Sequence, residues 1–356
     1  MSKGSLSKLI ETLNERLLTE RREYLATLIE TSSSLILALL AGGIVLAVLG
    51  YDPLNVYNIL FRYGFGNIRY LLDKSTPLMM TGLAFAIPLI AGLFNIGGES
   101  QLYIGAFIAL LAAYYTHSHV IGILAGTIAG GLLGAFIGIL RVYRGINEVI
   151  SSIMVNWIFF YLIIYLISGV YYNPERPHES IPIPKDARIY PISNISVIFA
   201  IAVLASILYY IILFHTDIGY KMRVTGLSTA SAKYAGFNPD LSMIYSMLLG
   251  GAAAGLGGAL LVLGMTYSID DMLSAVYGLG FTGIGIGLLG RLHPIGIIFA
   301  SIFFSGLLIG GQWVELKTGA PPELADTLIG VIVIALAIPY VYKLLVSRLM
   351  QRRGGD

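Results

Sequence analysis

Asn95-Ile96-Gly97-Gly98-Glu99-Ser100-Gln101 interrupts, with glycine and polar side chains, two apolar runs: residues 76–94 lead up to it and residues 102–115 lead away. A carboxylate near bilayer depth costs roughly 2.5–3.5 kcal/mol on insertion scales, so Glu99 in such a place needs partners, water or a function. Irregular backbone at that depth has to line a cavity or be enclosed in protein. Discontinuous segments of this kind mark the passage in many transporters, where freed amides, the carboxamides of Asn95 and Gln101 and the Ser100 hydroxyl face an aqueous route together. The competing reading is a loop at the cytoplasmic surface that caps the next helix.

Composition sets the class around this stretch. The chain is 56% hydrophobic and 12% charged with a mean hydropathy of +0.81, against about 25% charged in soluble domains. Its apolar runs reach the length that crosses a bilayer. The expected fold is an all-α polytopic membrane protein. The 42 glycines point to close helix–helix contact, because lipid offers no hydrophobic drive for helices to associate. Without cysteine there is no disulfide framework, thiolate metal site or thiol nucleophile. His117, His119, His178, His215 and His293 fall near span ends in no metal-ligand spacing, so no metal is expected.

Residues 1–31 form an N-terminal arm with Leu6, Leu9, Ile10, Leu13 and Leu17 at helical spacing among charges, an amphipathic pattern suited to the membrane surface and not a signal peptide. Spans are then expected at 32–51, 76–94, 102–115, 120–140, 149–168, 195–214, 241–263, 275–289, 295–311 and 324–346. Residues 52–75 read as a semi-polar, aromatic-rich connection. Gly126, Gly130, Gly134 and Gly138 make a stripe on one helix face, the signature of a close backbone approach. Five prolines between 171 and 191 exclude a helix there, and the 169–194 loop is expected to stand outside the bilayer. The two halves each contain one short glycine-broken segment, at 95–101 and at 278–290, the arrangement of an internally repeated transporter.

Ten spans put both termini on one side, and basic residues choose it. The arm, Arg141 and Arg144, the 215–240 region, Arg291 and the 347–356 tail with Lys343 hold 15 of the 22 Lys and Arg. By the positive-inside bias these segments are cytoplasmic and the proline-rich loop is external.

Four separated motifs in order resemble the permease subunits of ribose-type ABC importers: 94–101, Gly145-Ile146-Asn147-Glu148 through Asn156, Ala232-Lys233-Tyr234-Ala235-Gly236, and 280–284 with 290–296. The branch they look most like is the nucleoside-uptake permeases, the longer of two permease subunits, over residues from about 51 to the last span. Ser100 departs from the glycine usual there, so the local backbone is expected to differ. The resemblance implies a cell-membrane subunit that is not an enzyme and binds no cofactor, ATP being bound by a partner; no Gly-x-x-x-x-Gly-Lys-Ser/Thr loop is present. It implies three partners: a second related permease in a heterodimer, a cytoplasmic ABC ATPase and an external solute-binding lipoprotein. No nucleic acid is expected. By similarity, residues 225–239 resemble the coupling helix that docks on the ATPase, with Gly226 and Gly236 bounding the turn and Ala232, Lys233, Tyr234 and Ala235 on it.

For the substrate path the candidates are Asn95, Glu99 and Gln101, with Asn147, Glu148 and Asn156 beside them, since amides and carboxylates suit the hydroxyls and base edges of a nucleoside. Glu148 also reads as one half of an ion pair with Arg144, and Asn156 as a helix–helix hydrogen bond. Three alternatives stand beside the nucleoside reading: uptake of a simple sugar such as ribose, an ion-coupled carrier that uses Glu99 as its proton site, and a membrane enzyme, for which no nucleophile–base pair is spaced.

Overall fold

The computed structural model describes residues 36, 39–192, 196–321, 324, 327, 328, 330, 331 and 334. The N-terminal arm 1–31, most of the last predicted span and the 347–356 tail lie outside the described residues.

Helices begin where a short polar side chain accepts the first free amides, which removes orphan donors that hydrocarbon cannot satisfy. Asp52 accepts from Leu54 N (3.0 Å) at the head of α2, Pro53–Gly64, with Pro53 supplying a pre-set φ; α1 is Leu39–Val48. Asn67 opens α3, Ile68–Ile90, and Ser118 opens α5, His119–Arg144. Asn147 opens α6, Glu148–Gly169, and Ser196 opens α7, Val197–His215. Thr216, Ser228 and Asn238 do the same for α8, Asp217–Leu227, α9, Thr229–Tyr234, and α10, Pro239–Leu261. From α3 to α11, only α4, Gly98–Thr116, and α11, Leu279–Leu289, start at a glycine with no cap from their own N-cap side chain. The last fully described helix is α12, Pro294–Thr318.

The described residues divide into two compact units, those up to 59 together with those from 311 onward, and those within 60–310. In the first, the Tyr57 hydroxyl donates to the Leu39 carbonyl (2.6 Å), tying the start of α2 to α1. In the second, α10 is the central rod, packed on α5, α3 and α4, while α11 lies against α3. Its neighbours come within backbone contact because both sides are glycine. A Cβ on Gly130 would sit 2.5 Å from the Gly251 carbonyl oxygen, and one on Gly126 2.5 Å from that of Gly105; Gly255 would collide with Gly126 in return. The stripe on α5 thus meets the Gly251 and Gly255 face of α10, as its spacing predicts.

Among the described residues five helices are long and apolar enough to cross a membrane: α5, α6, α7, α10 with its π-helical extension to Thr266, and α12. Three sequence expectations change. Residues 52–75 are not a connection but α2 and the first turns of α3, built from the Asp52-Pro53 and Asn67 start signals. The third span starts at Gly98, not Leu102, so Glu99, Ser100 and Gln101 are helical. The eighth begins at Leu279 and has 11 residues, about 16 Å, roughly half a bilayer core.

The proline-rich loop is extended as expected. Tyr172–Asn173 (β1) and Arg176–Ser180 (β2) pair antiparallel, and the loop is then stitched to the segment before α11, Ser180 N donating to Ile269 O and Ile183 N to Tyr267 O, both at 2.8 Å. Two pairs hold its middle to neighbouring segments, His117 Nδ1 with Asp186 Oδ2 and His178 Nδ1 with Asp271 Oδ2, each 2.8 Å. The hydrogen bond from His117 holds the Asp186 carboxyl below its ordinary value.

Gly255→Val forces a branched side chain into the α5 backbone and is expected to cost about 3 kcal/mol or more, read as loss of monodisperse protein and a lower Tm in detergent. Gly43→Ala, whose added carbon meets nothing nearer than 3.7 Å, is the control expected to behave as wild type. Equal behaviour of the two variants would remove the glycine contact as the basis of the α5–α10 pairing.

Candidate functional site

The site is the break that separates α3 from α4, together with the start of α11. Pro88 lies in the last turn of α3, and Gly92 takes a left-handed φ of +87° that no side chain adopts cheaply, so the helix ends at Ile90. Residues 91–97 then run as irregular backbone until α4 restarts.

Asn95 fills the break from inside. Its Nδ2 donates to the Ala84 carbonyl (2.9 Å) and to Gln101 Oε1 (3.1 Å), and its Oδ1 accepts from Gly97 N (2.9 Å) and Gln101 Nε2 (3.3 Å). The two carboxamides, both fully buried, therefore satisfy each other and the loop. Asn156 arrives from the middle of α6 to do what a local cap does elsewhere: its Oδ1 accepts from Ser100 N and its Nδ2 donates to the Ile96 carbonyl, both at 3.1 Å. Ser100 adds a bond from its hydroxyl to the Gly97 carbonyl (3.0 Å), so the departure from glycine stabilises the first turn of α4.

Glu99 points the other way, to α11, and is 2% exposed. Its carboxylate accepts from the Tyr103 hydroxyl one turn along α4, from Gly278 N, from Gly280 N (2.6 Å) and from Phe281 N (3.2 Å). The free amides of α11 are thereby capped by a residue 181 positions away. Gly280 has to be glycine, because a Cβ there would lie 2.5 Å from the Glu99 Cα. Gly278 has φ +80°, which glycine alone supplies without strain. The 19-residue α4 and the short α11 thus meet at their N-termini. Each carries roughly half a positive charge, and the Glu99 carboxylate sits between them as the counter-charge.

Of the predicted path residues, Asn95, Glu99, Gln101 and Asn156 are brought together here, with their polar atoms turned to one another and to backbone. Glu148 reaches only the rim, with Oε1 3.5 Å from Phe94 N. Its ionic partner is Arg141, not Arg144 as the sequence predicted: Oε2 lies 3.2 Å from Arg141 Nε, poorly aligned for a hydrogen bond, because Gly145 (φ +64°) folds α6 back beside the preceding turn of α5. Asn147 stands apart, an exposed cap accepting from Val149 N (2.9 Å) and Ile150 N (3.3 Å). Tyr103, Gly278, Gly280 and Phe281 were missed. The spacing of Glu99 and Tyr103, four apart on one helix face, was the one local sign.

The second set of predicted residues lies on α8 and α9. α9 is six residues long, is followed by a turn at Gly236 (φ +79°), and leaves Lys233, Tyr234 and Ala235 exposed while Ala232 is buried. Tyr234 is 99% exposed and Leu227 88%. Gly226 presents its Cα to the end of α3, where any Cβ would strike the Ile90 carbonyl, so the α8–α9 junction rests on the point where α3 breaks. A cavity of about 190 Å³, lined by Lys221, Phe237, Asn238, Leu241 and Tyr245, opens beside it. Among the described residues no cluster of His, Asp or Glu has the makings of a metal site.

Residues 67–337 match the family described as branched-chain amino acid transport system / permease component. The chain is 31% identical over 333 residues to the guanosine ABC transporter permease protein NupP of Bacillus subtilis, covering 90% of this chain and 95% of that one. It is 29% identical to the nucleoside ABC transporter permease protein NupB of Lactococcus lactis, over 88% of this chain and 92% of that one. To the glucose ABC transporter permease protein TsgB13 of Haloferax volcanii it is also 29% identical, over 90% of each. No solved structure matches.

Glu99→Gln keeps the shape of the side chain but removes the counter-charge and turns an amide donor toward amide donors. The expected loss is about 2–3 kcal/mol at the α4–α11 contact, seen as a lower Tm in detergent and faster hydrogen exchange at residues 278–282 with membrane insertion intact. Wild-type exchange at those amides would remove Glu99 as the cap of α11.

Proposed function

Because this chain belongs to the branched-chain amino acid transport system / permease component family, we propose that it is one of two related permease subunits of an ATP-driven importer, and that its cargo is a nucleoside. It is a multi-pass protein of the cell membrane. The observation that carries the cargo is similarity along nearly the whole of NupP, 95% of whose length is covered. Glucose is the second reading, carried by the match to TsgB13, 90% of whose length is covered.

In this reading the protein has ten spans, with both termini and the α8–α9 segment cytoplasmic and the 169–194 loop external, where the solute-binding lipoprotein docks. Lys221, Arg223 and Lys233 on the one side support that orientation. The ATPase binds ATP and seats α9 through Tyr234, Lys233 and Ala235, which the fold leaves uncovered. Closure of the ATPase then tilts α8 and α9 as one body. Gly226 passes the push to the Ile90 carbonyl, and so to the break that leads through Asn95 into Glu99. There α4 and α11 are held by a carboxylate on amides, a contact that opens without unfolding either helix. Asn95, Gln101 and Asn156 form the wall that keeps the break rigid, and Glu99 is the pin between the moving parts. Asn147 and Glu148 hold the α5–α6 turn at the cytoplasmic mouth.

Two experiments test this. In proteoliposomes holding the full importer with its binding protein and internal ATP, labelled guanosine uptake is expected to be competed by nucleosides and not by glucose; the reverse order establishes the sugar reading. Ala235→Arg is expected to lower ATPase association and uptake together, whereas Gly226→Val, scored on the fraction of complex that purifies monodisperse, keeps the ATPase bound and hydrolysing while uptake falls by about tenfold or more. If Gly226→Val transports normally, the push does not travel through Ile90.

A further inference from the structure

The face of α6 beside Asn156 carries an aromatic cluster. The Trp157 and Tyr161 rings stack, with centres 6.0 Å apart and planes 24° apart, and both stand edge-on to Phe160 at 5.7 and 5.3 Å. Phe160 leans on Tyr103 (6.2 Å) and on Tyr277 (5.8 Å). Tyr103 donates to Glu99, and Tyr277 immediately precedes the Gly278 amide that does the same. The cluster is therefore hung on the α4–α11 junction itself.

Its outer members are open: Trp157 is 50% exposed, Tyr161 63% and Tyr277 57%. Among the described residues, the Trp157 indole N–H and the hydroxyls of Tyr161 and Tyr277 have no hydrogen-bond partner. Trp157 is the tenth of the 22 residues of α6, close to mid-span. Tryptophan and tyrosine in spans ordinarily gather at the two interfaces, where the polar tip reaches water. At mid-span against acyl chains those tips would be unsatisfied. The surface calls for an occupant with a flat apolar face and polar groups at its edge.

We propose that Trp157, Tyr161 and Tyr277 form a stacking platform for the heteroaromatic base of the cargo at the level of Glu99, the opposite wall being supplied by the second permease. This rests on the nucleoside reading and deepens it. Every nucleobase has a π-face, so stacking accepts purines and pyrimidines alike, while the free indole and hydroxyl donors meet base edges. A glucose ring can also lay its C–H face on aromatic rings, so the choice of a base over a sugar comes from the nucleoside reading and not from the platform alone. The platform also has a built-in release: separating α11 from α4 at Glu99 carries Tyr277 away from Phe160, so the motion that opens the junction takes the platform apart.

The test is guanosine uptake by the complete importer in proteoliposomes carrying Trp157→Leu or Tyr277→Leu, with Trp157→Phe and Tyr277→Phe beside them. Each leucine variant is expected to lower guanosine kcat/KM about tenfold, and each phenylalanine variant to stay within about threefold of wild type. The second permease should co-purify with all four in wild-type proportion. Leucine variants that transport as wild type overturn the platform. So do phenylalanine variants that lose as much as the leucine ones, and so does loss of the second permease from the leucine variants, which would make this face a subunit interface. A wild-type importer that moves glucose and not guanosine overturns the nucleoside reading instead, before any variant is made.

Discussion

A single carboxylate between two helix ends is the constraint on which the rest of the second unit depends. Backbone N–H groups at a helix start have no partner within the helix, and hydrocarbon supplies none. Most helices here solve this with the residue at their own N-cap, but α4 and α11 begin at glycine. They are completed from a distance, α11 by Glu99 and α4 by Asn156. The arrangement is mutual. Glu99 could not be buried without the amides and the Tyr103 hydroxyl that bind it, and α11 could not begin where it does without Glu99.

That contact is possible only because backbones come unusually close. Gly280 lets α11 touch the first turn of α4, and the glycines of α5 and α10 hold the surrounding helices within backbone distance. In a lipid environment such contacts carry the packing that a hydrophobic core carries in water. Three hydrogen bonds from Gly278, Gly280 and Phe281 to Glu99 tie the start of α11 to α4, and α8 meets the end of α3 where Gly226 faces the Ile90 carbonyl. Asn95 and Gln101 tie the break together through their paired carboxamides.

The break at residues 95–101 was legible because its polar and glycine content is out of place between apolar runs, and the α5 stripe because a four-residue period marks one helix face. Misreadings came where a local rule was overridden or overlooked. Residues 52–75 read as a connection although Asp52-Pro53 and Asn67 are plain helix starts. The four residues before Leu102 are small or polar and carry no helix signal of their own, yet they form the first turn on the strength of Asn156 and α11. Glu148 pairs with Arg141 and not Arg144, since the turn at Gly145 decides which side chain of the previous helix it meets.

Sequence by itself determined the membrane class, most helix starts, the close-packing face and the existence of two short broken segments, all of which are encoded within a few residues by hydropathy, caps and glycine spacing. Only the tertiary structure decided what the broken segments do to each other. Glu99 and Gly280 are 181 positions apart, Asn156 and Ser100 56. No local period records such pairs, because the chain meets itself there through packing of α3, α10 and α6, and the free amides of one segment are satisfied by whichever polar group that packing delivers.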